Sequence, residues 1–308
     1  MKNANKVSRS FQHMILLCGC LLIYYSVSAR QHKPTESGYI AQKTQGIDSD
    51  YVLIFNSYSE SAPWCRSLVD STVMDLIKLS PQTMTVTQNL NSGLLRDEKA
   101  LAQLRQQVDV SYHDKPRMII YIGSTSWPFL HETIEKKWGK VPSIIFSDID
   151  YTGPIANLLR KTPIAPALRI PYDKIVKEYE GALSVVYMPI YLRQSLALMH
   201  QLTPPMTELC FISDTRWISA QMRADMAAIT KTDFPELKVR YLISADMSTL
   251  DLLDSLQHYG QETGVLFFSW LKQSQVGDSF VNDSHFRIII SKSARQPLFV
   301  LNDNEVNT

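Results

Sequence analysis

Tyr51-Val-Leu-Ile-Phe-Asn-Ser-Tyr58, followed by Pro63-Trp64, is the stretch that decides the fold. Tyr51 to Phe55 is an unbroken apolar run of strand length, rich in β-formers. It switches at Asn56 to a polar loop, and an apolar-periodic helix is predicted from about Pro63. A strand apolar on both faces, then a polar loop, then a helix opens a parallel α/β sheet. Ligands of such sheets bind just beyond the carboxyl ends of the strands. Asn56, Ser57 and Tyr58 are therefore expected in a small-molecule site.

The same unit repeats along the chain. Strands are predicted at Val52–Phe55, Met84–Leu90, Arg117–Ile122 and Ser143–Phe146, with helices between them. Trp64, Leu68, Thr72, Leu76 and Leu79 share one helical stripe, as do Leu94, Leu101, Leu104 and Val108. A third helix is expected over Pro128–Trp138, with proline tolerated in its first turn. Four prolines between Pro154 and Pro171 exclude a long regular helix, so 154–190 is expected to cross between lobes. A helix at Tyr191–Gln201 follows. Alternation then restarts: strand Glu208–Ile212, helix Ile218–Ile229, strand Val239–Ile243, helix Thr249–Tyr259, strand Val265–Phe268, and strands near Phe286–Ile290 and Leu298–Leu301. Ser248 with Asp251 three residues on is a capping signal. The fold class is thus α/β in two lobes, 51–153 and 191–308, each a mostly parallel sheet flanked by helices.

Composition bounds the setting. Residues 1–29 carry Lys2, Lys6 and Arg9, an apolar block from Met14 to Val27, and Ser28-Ala29, the pattern of a signal peptide or N-terminal anchor. Leu17-Cys18-Gly19-Cys20 loosely resembles a lipobox, but the apolar run continues past it. All three readings export the chain to the periplasm or another extracytoplasmic space, with anchoring to the inner membrane under the second. Residues 30–50 are expected to be a flexible linker. Without 1–29 the chain has 28 basic and 30 acidic residues, which offers no clustered basic footprint for nucleic acid. Of four cysteines, Cys65 and Cys210 remain; a disulfide between them and two buried thiols are both open.

Four stretches carry a family resemblance: VLIFNSYSESAPW (52–64), PSIIFSDIDYTG (142–153), ELCFISDTRW (208–217) and GVLFFSWLKQ (264–273). Together they resemble the periplasmic-binding-protein-like (type I) domains of the ABC-transporter substrate-binding family, in the version used as the extracytoplasmic sensor of bacterial sensor histidine kinases. The resemblance covers Tyr51 to Leu301. It implies two lobes that close on a small molecule without doing chemistry on it. Relatives run on past the strand at Leu298–Leu301 into closing elements, so those elements are expected to be missing here. The expected partners are an unidentified small molecule, a membrane-embedded kinase or transporter module, and a second copy of the chain. No cofactor, metal or catalytic residue is expected.

The candidate ligand-binding residues are Asn56, Ser57, Tyr58, Trp64, Gly123, Ser124, Asp148 and Asp150 in the first lobe, and Ser213, Asp214, Trp217, Ser269 and Trp270 in the second, with Ser244 beside them. Helix N-termini, hydroxyls and aromatic faces suit capture of a small solute. Plainer roles stand beside these: Asp214 and Ser269 as helix caps, Trp64 as a core residue, Asp148 as a turn ligand, and Gly123-Ser124 as a tight turn.

Catalysis has less support. The sequence has no Gly-x-Ser-x-Gly elbow, phosphate-binding loop or dinucleotide fingerprint, and its seven histidines are scattered. A free transporter-binding protein and an exported α/β hydrolase remain as alternatives. A cytoplasmic repressor is disfavoured by the export signal and by the absence of a helix-turn-helix segment.

Overall fold

The computed structural model describes residues 51–59, 63–203, 206–273, 280–281 and 286–301. The expected signal or anchor (1–29), the expected linker (30–50), the Trp64 side chain and everything after Leu301 lie outside the described residues.

Strand β1 (Tyr51–Asn56) is buried along its whole length. It pairs in parallel with β2 (Met84–Asn89) on one side and β3 (Met118–Ile122) on the other. Strands β4 (Ser143–Ser147) and β7 (Leu183–Tyr187) extend the sheet beyond β3, also in parallel. Successive side chains of a strand point to opposite faces. Tyr51, Leu53, Phe55, Ile119 and Tyr121 accordingly enter one core, while Val52, Ile54, Ile120 and Ile122 enter another with Cys65, Leu68 and Val69. Those last three residues belong to α1 (Pro63–Leu79). Helices α2 (Glu98–Ser111) and α3 (Ser126–Trp138) return the chain between parallel strands. Such pairs need a crossover, which is why helix and strand alternate.

The second sheet repeats the plan. Strand β8 (Glu208–Ser213) lies between β9 (Lys238–Ile243) and β10 (Thr263–Phe267), with β13 (Leu298–Val300) beyond β10, all parallel; the short strands β11 (Lys272–Gln273) and β12 (Phe280–Val281) pair separately, antiparallel. The orders β2-β1-β3-β4 and β9-β8-β10-β13 are the same arrangement at two places in the chain. Leu209, Phe211 and Leu266 face the larger core; Cys210, Ile212, Val265 and Phe267 face a second one with Leu252, Leu256 and Ile290. Helix α6 (Leu192–Leu202) precedes this sheet, and α7 (Trp217–Asp233) and α8 (Thr249–His258) cover it. Ser248 and Asp251 form the reciprocal capping box expected from their spacing. The two-lobed α/β architecture is as read from the sequence.

Two expectations are corrected. Phe286–Ser293 is a helix, α9, rather than a strand. Parallel pairing of β10 with β13 demands a crossover between them, and the helix supplies it. Its burial follows: Ile290 is fully buried while its neighbour Ile289 is exposed. The run Arg287-Ile-Ile-Ile290 has strand propensity, but topology overrides it.

The segment 154–190, expected as the inter-lobe crossing, belongs mostly to the first lobe. Strand β7 is the fifth strand of the first sheet, so only the residues after Tyr187 lead across. The proline-rich part forms a strap, a small excursion from β4. It begins with β5 (Tyr151–Thr152) and returns through β6 (Ile170–Pro171), its antiparallel partner, before α5 (Tyr172–Glu178). The prolines occupy positions where no helical N–H is lost: Pro154 and Pro171 precede helices, and Pro166 opens a short 3-10 turn. Between the paired ends lies α4 (Ile155–Arg160), closed by Lys161 in the left-handed conformation.

This strap docks on α7 of the second lobe. The Trp217 indole N–H donates to the Thr162 carbonyl at 3.1 Å. The Ile164 N–H donates to the buried Gln221 side chain at 2.8 Å. Arg169 pairs with Asp225 at 2.7 Å.

Candidate functional site

The carboxyl ends of β1, β3 and β4 face those of the second lobe across a cleft, and the strap closes one side. The residual cavity has a volume of about 20 Å³, room for one or two waters. Tyr58, Ser92, Gly93, Ser124 and Thr125 line it from the first lobe. Leu158 and Lys161 enter from the strap, and Arg216, Trp217 and Ile218 from the start of α7.

A chain of charged and polar groups crosses the cleft. Asp214 is completely buried and accepts hydrogen bonds from the Arg216 backbone N–H at 2.9 Å, its Nε at 2.8 Å and the Ser219 hydroxyl at 2.6 Å. The Arg216 guanidinium lies 5.4 Å from the centre of the Tyr58 ring. The Tyr58 hydroxyl donates to Asp148 at 3.4 Å. Burial works against the charge on Arg216, yet Asp214, Tyr58 and Asp148 together raise its pKa above the ordinary arginine value. Burial raises the Asp148 carboxyl to about 6, against the opposing pull of Arg216 and the Tyr58 hydrogen bond. Burial also holds the Tyr58 phenol well above its usual value.

Of the thirteen residues expected to bind ligand, Tyr58, Ser124 and Trp217 line this cavity, and Asp148 and Asp214 stand directly behind it. Asn56 and Ser57 build the wall rather than face the space. The Asn56 side chain ties Asn89 at 2.8 Å and accepts the Tyr58 N–H at 3.1 Å. The Ser57 hydroxyl accepts the Ser126 N–H at 2.9 Å, and its carbonyl accepts from both Ser92 groups. Gly123 has φ +87°, and a Cβ there would lie 2.7 Å from the Tyr58 ring and 2.8 Å from the Ser57 hydroxyl. It lets the first-lobe loops come together.

The remainder serve elsewhere. Asp150 is exposed, and its carbonyl receives the Tyr172 N–H. The Ser213 hydroxyl accepts from Arg223, Ser244 donates to the Leu271 carbonyl, and Ser269 meets Ser219. Trp270 packs in the second core, with its indole donating to Thr249. Trp64 lies outside what is described. The sequence reading missed Ser92, Gly93, Lys161 and Arg216. Ser92-Gly93 follows β2 and carries the strand-end signal used elsewhere; Arg216 sits inside the quoted SDTRW stretch. Lys161 has no comparable signal, because the strap places it.

Cys65 and Cys210 are free and buried, as the second of the two sequence readings has it. Among the described residues no three His, Cys, Asp or Glu side chains are grouped to hold a metal ion, and no helix is long and apolar enough to cross a membrane.

No family model matches the chain, and no curated protein matches it significantly. Solved structures do. The chain is similar to a fatty acid ABC transporter substrate-binding protein from Thermomonospora curvata (TM-score 0.48, 11% identity), covering 82% of this chain and 57% of that one. It is also similar to a LacI transcriptional regulator, described as putative, from Bacteroides fragilis (TM-score 0.49, 10% identity, 83% and 79% covered). A third is an ABC domain from Streptococcus pneumonia in complex with L-Trp (TM-score 0.47, 13% identity, 84% and 76% covered). The chain thus spans just over half the length of the first of these.

Proposed function

We propose that this chain is an extracytoplasmic small-solute-binding domain whose two lobes close on a ligand in the cleft between Tyr58 and Arg216. The observation that carries this reading is the cavity itself. It lies at the carboxyl ends of parallel strands, where α/β sheets bind ligands, and both lobes contribute polar groups to it. A cavity with room for one or two waters is too small for a solute, so binding requires the lobes to part and close again. In this reading the two acids hold the walls of the cleft: Asp214 is engaged by Arg216 and Ser219, and Asp148 by Tyr58.

In the finer proposal, closure is a signal, and the domain is the sensing part of a membrane-anchored histidine kinase. The export pattern in residues 1–29 supports placement outside the cytoplasm. A thermal-shift screen with amino acids, sugars, nucleobases and organic acids tests the binding role. Stabilisation by one class, abolished in Tyr58→Ala, is expected. No stabilisation by any class rejects solute binding.

A further inference from the structure

We infer that the first lobe carries a dimer interface, at which strand β2 and helix α1 meet a second copy of the chain across a two-fold axis beside Val86 and Met74. The inference stands apart from the solute-binding role.

Strand β2 is one edge of the first sheet and pairs only with β1 among the described residues. The Leu90 N–H donates to the Asn56 carbonyl of β1. Peptide groups alternate in direction along a strand, so those of Thr85 and Thr87 point away from β1, toward the open edge. Such edges are normally blunted by charge or proline. This one reads Met84-Thr-Val-Thr-Gln-Asn89 and has neither. Strand β9 holds the matching place in the second sheet and is blunted, with Lys238 and Arg240 both exposed.

An apolar surface flanks the open edge. Met74, Ile77 and Leu79 of α1 are 54%, 46% and 59% exposed, and Met84 at the start of β2 is 46% exposed. The opposite edge, β7, is also uncharged, but neither it nor α5 before it has an exposed large apolar side chain. An open edge beside uncovered apolar surface is a docking face.

A second copy fits because this face complements itself. Antiparallel pairing of β2 with its copy, centred on Val86, sets Thr85 against the partner's Thr87. That pair exchanges two backbone hydrogen bonds, and its symmetry mate two more. The axis is then normal to the sheet, so the two α1 helices lie on one face, side by side and antiparallel. From the turn at 80–83, Val86 is about 7 Å along the strand and Met74 about 7 Å along the helix, so the axis passes both. In that register Asp70 and the partner's Lys78, each four residues from Met74, stand opposite each other, twice over. Within one chain Arg66 pairs with Asp70 and Lys78 with Asp75, so the joined helices alternate in charge and oppose no like pair. The contact closes at two copies. None of the residues lining the cleft cavity takes part in it.

The test is sedimentation equilibrium of the full chain, which is expected to show a monomer–dimer equilibrium at micromolar concentration. Met74→Asp places two like charges at the axis, and Thr87→Pro removes an N–H that β1 does not use. Each should weaken the dimer at least about tenfold, whereas Leu250→Asp on the exposed face of α8 should not. Asp70→Lys or Lys78→Asp should weaken it too, and the double exchange should restore it, a recovery that misfolding cannot produce. Met74→Cys should cross-link two copies under mild oxidation, faster than the parent chain or Leu250→Cys; Cys65 and Cys210 are buried and do not compete. A monomer at about 100 µM would overturn the inference, because something other than a second copy would then cover the face. So would a dimer indifferent to Met74→Asp and Thr87→Pro, a charge exchange that restores nothing, or cross-linking no faster than in the controls.

Discussion

The Arg216 guanidinium of the second lobe lies over the Tyr58 ring of the first, 5.4 Å from its centre. Each residue is anchored within its own lobe: Arg216 by Asp214, Tyr58 by the Asn56 side-chain amide oxygen that receives its N–H. The contact therefore joins two preformed walls. A cation over an aromatic face contributes about 0.5–2 kcal/mol depending on how dry it is. That is enough to bias a hinge and too little to lock it, which is what a ligand-operated closure requires.

Replacing Arg216 with methionine should destabilise the protein by about 3 kcal/mol, because Asp214 would remain fully buried without its counter-ion. Urea unfolding measures this. Adding Asp214→Asn should recover much of the loss, since the amide keeps hydrogen-bonding capacity and removes the orphan charge. A single mutant as stable as the parent would mean that solvent reaches Asp214 when the lobes part.

Asp148 should make stability fall as pH rises. Its folded pKa of about 6 lies above the ordinary aspartate value, so the folded state holds the proton more tightly than the unfolded chain. The resulting stabilisation is complete below about pH 4 and is lost as pH climbs through 6. Between pH 4 and 7.5 this residue should account for a loss of about 2–3 kcal/mol, which Asp148→Asn would remove. Urea midpoints of the two proteins across that range give the difference curve. Parallel curves would show that Asp148 is solvated well enough to titrate normally.

Gly123→Ala should be the most damaging small change in the cleft. The backbone sits at φ +87°, which L side chains resist, and the new methyl would strike the Tyr58 ring and the Ser57 hydroxyl. Strain and overpacking together should cost about 2–4 kcal/mol and displace Tyr58 from beneath Arg216. Differential scanning calorimetry, with Tyr58 mobility followed by NMR, would separate loss of stability from loss of the wall.

The sequence disclosed the strands that are buried on both faces and hid those at the margins. Strands β1, β3, β8 and β10 are central, so they are continuous apolar runs that no helix period explains. Strand β7 is an edge strand with one buried residue and Ser184 within it, and its approach is full of prolines. The site was legible in the same uneven way. Strand ends located Tyr58, Ser124 and Trp217, but they could not distinguish a residue that faces the cavity from one that supports it. Ser57 is wholly buried in bonds to Ser126 and Ser92, a distinction made only by tertiary packing. Arg216 looks like an ordinary surface charge until β8 places Asp214 beneath it.

The strap supplies the last prediction. Gln221 is completely buried; its amide oxygen receives the Ile164 N–H, and its amide nitrogen reaches Asp225, which also holds Arg169. Gln221→Ala leaves a buried N–H without a partner and removes one of the ties that hold the strap to α7. An unsatisfied buried donor costs about 1–3 kcal/mol, enough to raise the open population of the strap about tenfold or more. Trypsin cleaves after Arg160, Lys161 and Arg169, so the rate of strap cleavage under native conditions reads that population directly. Cleavage should accelerate in Gln221→Ala and again in a double mutant with Asp225→Ala. The cavity depends on this docking, because Lys161 and Leu158 reach it only from the strap. An unchanged rate would place the hold on the Trp217–Thr162 contact instead, and Trp217→Phe, which deletes the indole donor and keeps most of the ring, should then release the strap.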